Sequence, residues 1–279
     1  MDDIRIIALD LDGTLLDSDK NLSEANRAAL AAAAARGILV VPTTGRFFGM
    51  MPPAVRDLPF VRYAITVNGA QVYDRETDTA LVREELPLAQ ALEIMRFLDG
   101  FDVIYDCYQE NWGRMTRAMQ EKAEEYAQCP HYVKMIREFR KPYPDLKGYL
   151  AEHGRDVQKI MLFARDPAVR DRIAIELPAR FDNLAISTST FNNLEINAAS
   201  AHKGRALERF AEHFGWTLAN CMAFGDGLND LTMVRMAGVG VAMANAAPEV
   251  LAAADYVTLS NDADGVAAAL NARIGICGS

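Results

Sequence analysis

The sequence has little of what disulfide-bonded, zinc-binding and membrane-spanning proteins need. Only four of its 279 residues are histidine and four are cysteine: Cys107, Cys129, Cys221 and Cys277. No two cysteines stand in a C-x-x-C spacing, so neither a zinc site nor a disulfide framework is expected. No segment approaches the roughly 18 consecutive apolar residues of a membrane helix. The first apolar run ends at Asp10, too soon for a signal peptide. We therefore expect a cytoplasmic protein with free thiols.

Positive charge is also scarce. Lysine and arginine number 29 against 38 aspartates and glutamates, and the formal net charge is -9. Such a surface repels nucleic acids and anionic membranes, so neither is expected as a partner. A small anionic substrate is still compatible with this charge, because a metal ion and local cations can reverse the sign of the field within one site.

The apolar residues that are present predict a parallel sheet with helices on both faces. Short β-branched runs at residues 5–9, 38–41 and 63–67 alternate with helical patterns such as residues 24–36. Ser23 is a suitable N-cap for that helix, and Gly37 a suitable stop. An alternation of this kind is typical of an α/β fold with a parallel core sheet.

The middle of the chain has a different pattern of apolar and aromatic residues. Between residues 86 and 189 the pattern mixes one clear helix with short strands, and most of the aromatic residues lie there. The chain then returns to the strand–helix alternation of its first part. We therefore predict a discontinuous α/β core, residues 1–85 and 190–279, with an inserted α+β domain at residues 86–189.

Polar residues stand directly after four of the predicted core strands. These residues are Asp10, Thr44, Asn68 and Asp226. In open parallel sheets, ligands bind just outside the carboxyl ends of the strands. The four side chains are therefore expected to converge on one edge of the sheet.

Two carboxylates, Asp10 and Asp12, lie two residues apart in the segment D-L-D-G-T. In such a pair one carboxylate can stay ionised as a nucleophile while the other exchanges a proton. A plain surface turn is the alternative, because Asp-Gly pairs are common in turns. The position directly after a fully apolar strand favours the catalytic interpretation.

A second acidic pair, Asp226 and Asp230, lies in the segment G-D-G-L-N-D at residues 225–230. Carboxylates from two strand ends would give an all-oxygen site of the kind that Mg²⁺ prefers. The alternative is an acidic helix N-terminus that only complements the helix dipole. We favour the metal site, with Mg²⁺ as the cofactor.

A phosphate would need cations and hydrogen-bond donors beside these acids. Lys203 opens a predicted helix, where its charge opposes the helix dipole, so a functional role is favoured. Thr44 offers a hydroxyl, and the backbone of Gly45 offers amides. Arg46 is equally compatible with a second cation of the site and with a surface residue.

These segments together resemble the four motifs of the haloacid dehalogenase superfamily, in the order and spacing of its Cof-type phosphatase branch. One departure is His202 directly before the lysine motif, where serine is more usual. The matching segments are D-L-D-G-T at 10–14, T-G-R at 44–46, K-G at 203–204 and G-D-G-L-N-D at 225–230.

The resemblance implies a Rossmann-like core with a mobile inserted α/β cap. It implies that Asp10 attacks phosphorus, and that Asp12 serves first as general acid and then as general base. Thr44 and Lys203 would hold the phosphoryl oxygens. The other implied roles are Mg²⁺ ligation by Asp10, the backbone carbonyl of Asp12 and Asp226, support of that site by Asp230 and Asn229, and a substrate-side contact by Asn68.

Three functions are compatible with the sequence. The first is a phosphatase acting on a small phosphorylated metabolite, such as a sugar phosphate or a cofactor phosphate. The second is a phosphotransferase or phosphosugar mutase that uses the same aspartyl-phosphate. The third is a non-catalytic binding module, which the loss of Asp10, Asp12 or Lys203 would have favoured. The sequence favours the phosphatase but specifies neither the substrate nor the oligomeric state.

Overall fold

The chain forms two compact units. The structure, a computed structural model, describes residues 3 to 275, so Cys277 lies outside the described residues. The first unit combines the chain up to Arg83 with the chain from His202 onward, and the second unit is Glu84–Ala201.

The elements are numbered here along the whole chain. Strands β1 to β14 are Ile6–Leu9, Leu39–Pro42, Tyr63–Thr66, Gln71–Asp74, Thr79–Arg83, Val103–Gln109, Trp112–Thr116, Arg140–Tyr143, Lys159–Ala164, Leu184–Ser187, Asn193–Ala198, Cys221–Gly225, Val239–Ala242 and Tyr256–Val257. Helices α1 to α12 are Glu24–Ala35, Pro53–Arg56, Leu88–Leu98, Arg117–Glu121, Ala123–Ala127, Pro130–Phe139, Leu146–His153, Pro167–Arg180, Lys203–His213, Leu231–Met236, Pro248–Ala253 and Gly265–Ile274.

The first unit is built on a five-stranded parallel sheet in the order β14-β13-β12-β1-β2. Its interior strand β1, between β12 and β2, is buried on both faces. Ile7 and Leu9 enter the apolar core cluster on one face, and Ile6 and Ala8 enter the cluster on the other. This is why β1 is an unbroken apolar run rather than an alternating one. The predicted α/β fold class is confirmed.

The third predicted strand was wrongly assigned to the parallel sheet. β3 instead begins an antiparallel three-stranded sheet in the order β3-β4-β5. It meets the end of β2 through a bridge between Thr43 and Ile65. Val67 and Asn68 both have positive φ, so the chain reverses directly after β3. The apolar run alone could not show this reversal.

The second unit is a six-stranded sheet in the order β10-β11-β9-β6-β7-β8, packed with helices α3 to α8. All neighbouring strands are antiparallel except β7 and β8. The unit continues to Ala201, beyond the predicted end at residue 189. The reason is that β11 pairs with β9 and β10 and so completes this sheet.

Within residues 3 to 275, each helix is too short or too polar to cross a membrane. Cys107, Cys129 and Cys221 are free thiols, as expected.

Candidate functional site

The site is built around Asp10, the first residue after strand β1. Its side chain is only 10% exposed. Its Oδ1 accepts a hydrogen bond from Lys203 Nζ at 2.6 Å. Its other oxygen, Oδ2, has no hydrogen-bond donor among the described residues. One carboxylate oxygen of Asp10 is thus held by Lys203, and the other is available to a ligand.

Lys203 is fully buried at the first position of α9. Its Nζ donates at 2.6 Å to Asp230 Oδ1 as well as to Asp10. The side chain of His202 caps the helix by accepting a hydrogen bond from the backbone N–H of Arg205. Histidine therefore performs the N-cap role for which serine is the more usual residue.

Asp230 fixes the loop that follows β12. Its Oδ2 accepts hydrogen bonds from the backbone N–H groups of Asp226 at 3.0 Å and Gly227 at 2.9 Å. Its Oδ1 is bound to Lys203, so both carboxylate oxygens are used within the protein. Asp230 is therefore placed to position Lys203 and the Asp226 loop.

Burial dominates the electrostatics of this group. Burial raises the pKa of Asp10 to about 7; Lys203 opposes this shift, and Asp230 and Asp226 add to it. The two carboxylates raise the pKa of Lys203 even though burial acts in the other direction. The lysine therefore stays charged, and together with Asp10 and Asp230 it forms a group of net negative charge once both acids are ionised. Such a group favours a further cation beside Asp10.

Asp226 lies at the end of β12, the neighbour of β1. Its Oδ1 accepts a hydrogen bond from the hydroxyl of Thr14 at 2.7 Å. Burial raises the pKa of Asp226, and the Thr14 hydrogen bond lowers it in part. Asp10, Asp226 and Asp230 each offer an oxygen within 4.8 Å of the others. Because Asp230 is already engaged, Asp10 and Asp226 are the side chains best placed to hold a metal ion.

Gly13 makes the close approach of the two strand-end loops feasible. Its φ is +88°, and a Cβ built on it would collide with Asp226 Oδ2. We expect Gly13→Ala to lower catalytic activity about 100-fold, because a displacement of about 1 Å in such a site has effects of this size. Gly37→Ala is the matched control, since Gly37 has a φ of +82° and open space around it.

Gly37→Ala should lose about 1–2 kcal/mol of unfolding free energy through backbone strain, and Gly13→Ala should lose more because of the added collision. Only Gly13→Ala should lose activity in an enzyme assay run beside denaturant unfolding. Equal activity in the two variants would show that the contact between Gly13 and Asp226 is unimportant.

Asp12 is paired with two cations. Arg46 Nη2 donates to both oxygens of Asp12, at 3.0 and 2.7 Å. Lys20 Nζ lies 3.1 Å from Oδ1. Partial burial would raise the pKa of Asp12, but Arg46 and Lys20 together hold it below its usual value. Arg46 is thus placed beside the second carboxylate of the motif.

The loop after β2 and the turn after β3 are bound to each other. The backbone N–H of Asn68 donates to Thr44 O, and that of Val67 donates to Arg46 O, both at 3.0 Å. The Asn68 side chain lies over Gly45, where an added Cβ would be 2.8 Å from Asn68 Oδ1. Val67 has a φ of +52°, an outlier for a β-branched residue. Strain of this kind persists where surrounding structure holds a functional loop.

The predicted site residues are thus mostly brought together in the first unit. Thr44 is buried beside them, and its Oγ1 accepts the backbone N–H of Arg46 at 3.3 Å. Asn229 lies in the loop after β12, with its Oδ1 over Gly227, but it is exposed and makes no side-chain hydrogen bond within residues 3 to 275. The sequence interpretation missed Thr14 and Lys20. Thr14 could have been found from its place in the D-L-D-G-T segment, whereas nothing in the sequence pattern marks Lys20.

Comparison with known proteins gives matches that extend across both units. A sequence model of the haloacid dehalogenase-like hydrolases matches residues 7–270. A 5-amino-6-(5-phospho-D-ribitylamino)uracil phosphatase of Bacillus subtilis (strain 168) is 31% identical over 268 residues, which cover 96% of this chain and 95% of that protein. A pyridoxal phosphate phosphatase of Escherichia coli (strain K12) is 29% identical over 270 residues, covering 94% and 96%. The crystal structure of a haloacid dehalogenase-like hydrolase from Bacteroides thetaiotaomicron matches with a TM-score of 0.82 and 28% identity, over 96% of this chain and 99% of that one.

Proposed function

The chain belongs to the haloacid dehalogenase-like hydrolase family and is a phosphatase, and from this premise we propose that it hydrolyses a small phosphorylated metabolite through a phosphoaspartate on Asp10, with Mg²⁺ as cofactor. The observation that carries the proposal is the hydrogen bonding of the two carboxylate oxygens of Asp10. One of its oxygens is held by the buried Lys203 at 2.6 Å, and the other is open. A carboxylate oriented in this way can act as a nucleophile.

The donor set beside Asp10 fits Mg²⁺. The available side-chain ligands are carboxylate oxygens of Asp10 and Asp226, with no nitrogen or sulfur ligand in the cluster. Hard oxygen donors in small number, completed by water, suit Mg²⁺. The backbone carbonyl of Asp12, implied by the family resemblance, would be a further ligand. When bound, the ion would offset negative charge on the phosphoryl oxygens and on Asp10.

In the first step we propose that Asp10 Oδ2 forms a bond to phosphorus while the bond from phosphorus to the leaving oxygen breaks. Lys203 Nζ carries three N–H donors, of which two serve Asp10 and Asp230. The third can hold a phosphoryl oxygen, as can the hydroxyl proton of Thr44. Asp12, when protonated, supplies the proton that the leaving oxygen takes up.

In the second step Asp12, now ionised, accepts a proton from water. The water oxygen bonds to phosphorus, and the bond between phosphorus and Asp10 breaks to regenerate the free carboxylate. Arg46 and Lys20 suit this step, because they stabilise the ionised form of Asp12. The acid step of the first half-reaction needs Asp12 protonated, so we propose that its pairing with Arg46 loosens when substrate is bound.

The substrate class comes from the relatives. The proteins to which this chain is similar are named as phosphatases of 5-amino-6-(5-phospho-D-ribitylamino)uracil and of pyridoxal phosphate. Both named substrates are small phosphate monoesters, and we propose a sugar phosphate or a cofactor phosphate here. The test is a panel of such monoesters assayed with Mg²⁺ and with EDTA. Hydrolysis of at least one ester that requires Mg²⁺ would support the proposal, and metal-independent hydrolysis would contradict its metal chemistry.

The division of labour between Asp10 and Asp12 predicts a dependence on the leaving group. Asp12→Asn should slow hydrolysis of an alkyl phosphate by about 10²- to 10⁴-fold, the usual contribution of a positioned general acid. The same variant should slow the formation of p-nitrophenolate from its phosphate much less, because that leaving group departs without a proton. Burst kinetics of the first turnover would measure both steps. Equal losses of the first-step rate constant on the two substrates would contradict the role of Asp12 as the acid.

A further inference from the structure

A set of polar side chains near the end of the first unit holds the loop that carries Asp12, Gly13 and Thr14. Asn245 Nδ2 donates to the carbonyl oxygen of Gly13 at 2.8 Å. Asn245 Oδ1 accepts the backbone N–H of Asn261 at 3.0 Å. This polar link therefore joins the loop after β1 to a segment more than 200 residues away in sequence.

Two further contacts lie along the same loop, beyond Gly13. Asn261 Nδ2 donates to the carbonyl oxygen of Leu16 at 3.0 Å. Asp262 accepts hydrogen bonds from the backbone N–H and the hydroxyl of Ser18, both at 2.7 Å. We call Asn245, Asn261 and Asp262 the loop clamp. Its members contact the loop at increasing distance from Asp10 along the chain.

The segment that carries Asn245 is also bound to the other acidic strand end. The backbone N–H of Met243 donates to Gly225 O at 3.1 Å, and that of Ala247 donates to Asp226 O at 2.8 Å. One short connection after β13 therefore contacts the Asp226 loop through its backbone and the Gly13 loop through the Asn245 side chain. These are the two loops from which the proposed metal ligands come.

From these contacts we infer that Asn245 is a positioning residue for the proposed Mg²⁺ site. Its amide fixes the peptide plane between Gly13 and Thr14. Thr14 contacts Asp226 through its hydroxyl, and Gly13 adjoins the backbone carbonyl of Asp12. Fixing this peptide plane therefore keeps two of the proposed ligands, the Asp12 carbonyl and Asp226, at a constant distance from each other before the ion binds. The inference rests on the metal-dependent function proposed above.

Asn245 is exposed and outside the apolar core clusters, so its side chain contributes little to folding in general. Asn245→Ala removes the hydrogen bond to Gly13 and leaves the backbone in place. Loss of one hydrogen bond corresponds to a change of about threefold to tenfold in an equilibrium constant. If that bond organises the site, Mg²⁺ affinity should fall in addition to the small loss of stability of the metal-free protein.

The experiment is calorimetric titration of Mg²⁺ into the metal-free full-length protein, with thermal unfolding in EDTA measured in parallel. The variants are Asn245→Ala, Asn261→Ala and Asn21→Ala. Asn21 is the matched control, because it lies in the same loop but its side chain hydrogen-bonds, within residues 3 to 275, only to Asp17, at 3.4 Å. The unfolding midpoint in EDTA should fall only slightly in Asn245→Ala, by the loss of one hydrogen bond, and should stay at the wild-type value in Asn21→Ala.

The Mg²⁺ dissociation constant should rise about threefold to tenfold in Asn245→Ala and less in Asn261→Ala. In Asn21→Ala it should stay within about twofold of the wild-type value. A wild-type dissociation constant retained by Asn245→Ala would overturn the inference and leave the proposed function standing. A wild-type protein that gives no Mg²⁺ binding at all would overturn both.

Discussion

Replacing Asp10 by asparagine should lower the rate constant for phosphate ester hydrolysis by about 10⁴-fold or more, the size of loss seen when a catalytic nucleophile is removed. The amide keeps the shape of the side chain and can still accept a hydrogen bond from Lys203, but it cannot form the phosphoaspartate. Because Lys203 keeps its second partner Asp230, the fold should survive the change. Steady-state hydrolysis and circular dichroism of the variant would measure the two effects.

The control for this variant is Asp19→Asn. Asp19 is exposed, lies in the same loop after β1 and makes no side-chain hydrogen bond or ion pair with the described residues. The Asp19→Asn variant loses the same charge from the same region, and its activity should stay within about twofold of wild type. Activity of Asp10→Asn near the level of this control would exclude Asp10 as the nucleophile.

Lys203→Met should destabilise the protein by about 3–5 kcal/mol, because the loss of one partner leaves a buried charge uncompensated. Lys203 has no exposed surface and lies 2.6 Å from both Asp10 and Asp230. Methionine fills nearly the same volume, so the loss measures charge rather than packing. Activity should fall together with stability, since the site also loses its donor to the phosphoryl group.

The stability loss should depend on pH in a defined direction. Without Lys203, nothing opposes the effect of burial on the pKa of Asp10, so the pKa in the folded state lies above that in the unfolded chain. The folded state then binds more protons than the unfolded state, and stability falls as pH rises through this range. Urea unfolding at pH 5 and at pH 8 should show the larger loss at pH 8.

Lys134→Met is the control for Lys203→Met. The Lys134 side chain is 72% exposed and lies 3.9 Å from Glu138. An exposed pair of this kind contributes little, so its removal should change the unfolding free energy by less than about 1 kcal/mol at either pH. A loss in Lys203→Met that is small, or equal at the two pH values, would contradict a buried charge network at Asp10.

Much of this site could be predicted because its chemistry is local in sequence. Asp10 and Asp226 each follow a fully buried strand, and β1 and β12 are neighbours in the parallel sheet. Parallel neighbours end at the same edge, so the sequence pattern sufficed to bring the two carboxylates together. Lys203 could be predicted because a cation at the start of a helix interacts unfavourably with the helix dipole, so an anionic partner is expected beside it.

The remaining features depend on contacts that no local pattern shows. β3 has the apolar composition of a core strand, but the positive φ of Val67 and Asn68 turns it into an antiparallel hairpin. Asn245 acts on Gly13, a residue 232 positions away, through one amide group. Lys20 reaches Asp12 only because the intervening loop folds back. None of these contacts produces a periodic pattern in the sequence from which it could be predicted.

The central claim is that a phosphoryl group passes through Asp10, and the most direct test is to trap it there. The protein would be mixed with excess aryl phosphate and Mg²⁺, quenched in acid within the first turnover, digested and analysed by mass spectrometry. We predict one phosphoryl group on the peptide that contains Asp10, and none on that peptide from Asp10→Asn. Product formation in the first turnover with no phosphorylated peptide, or with the group on another residue, would contradict the mechanism.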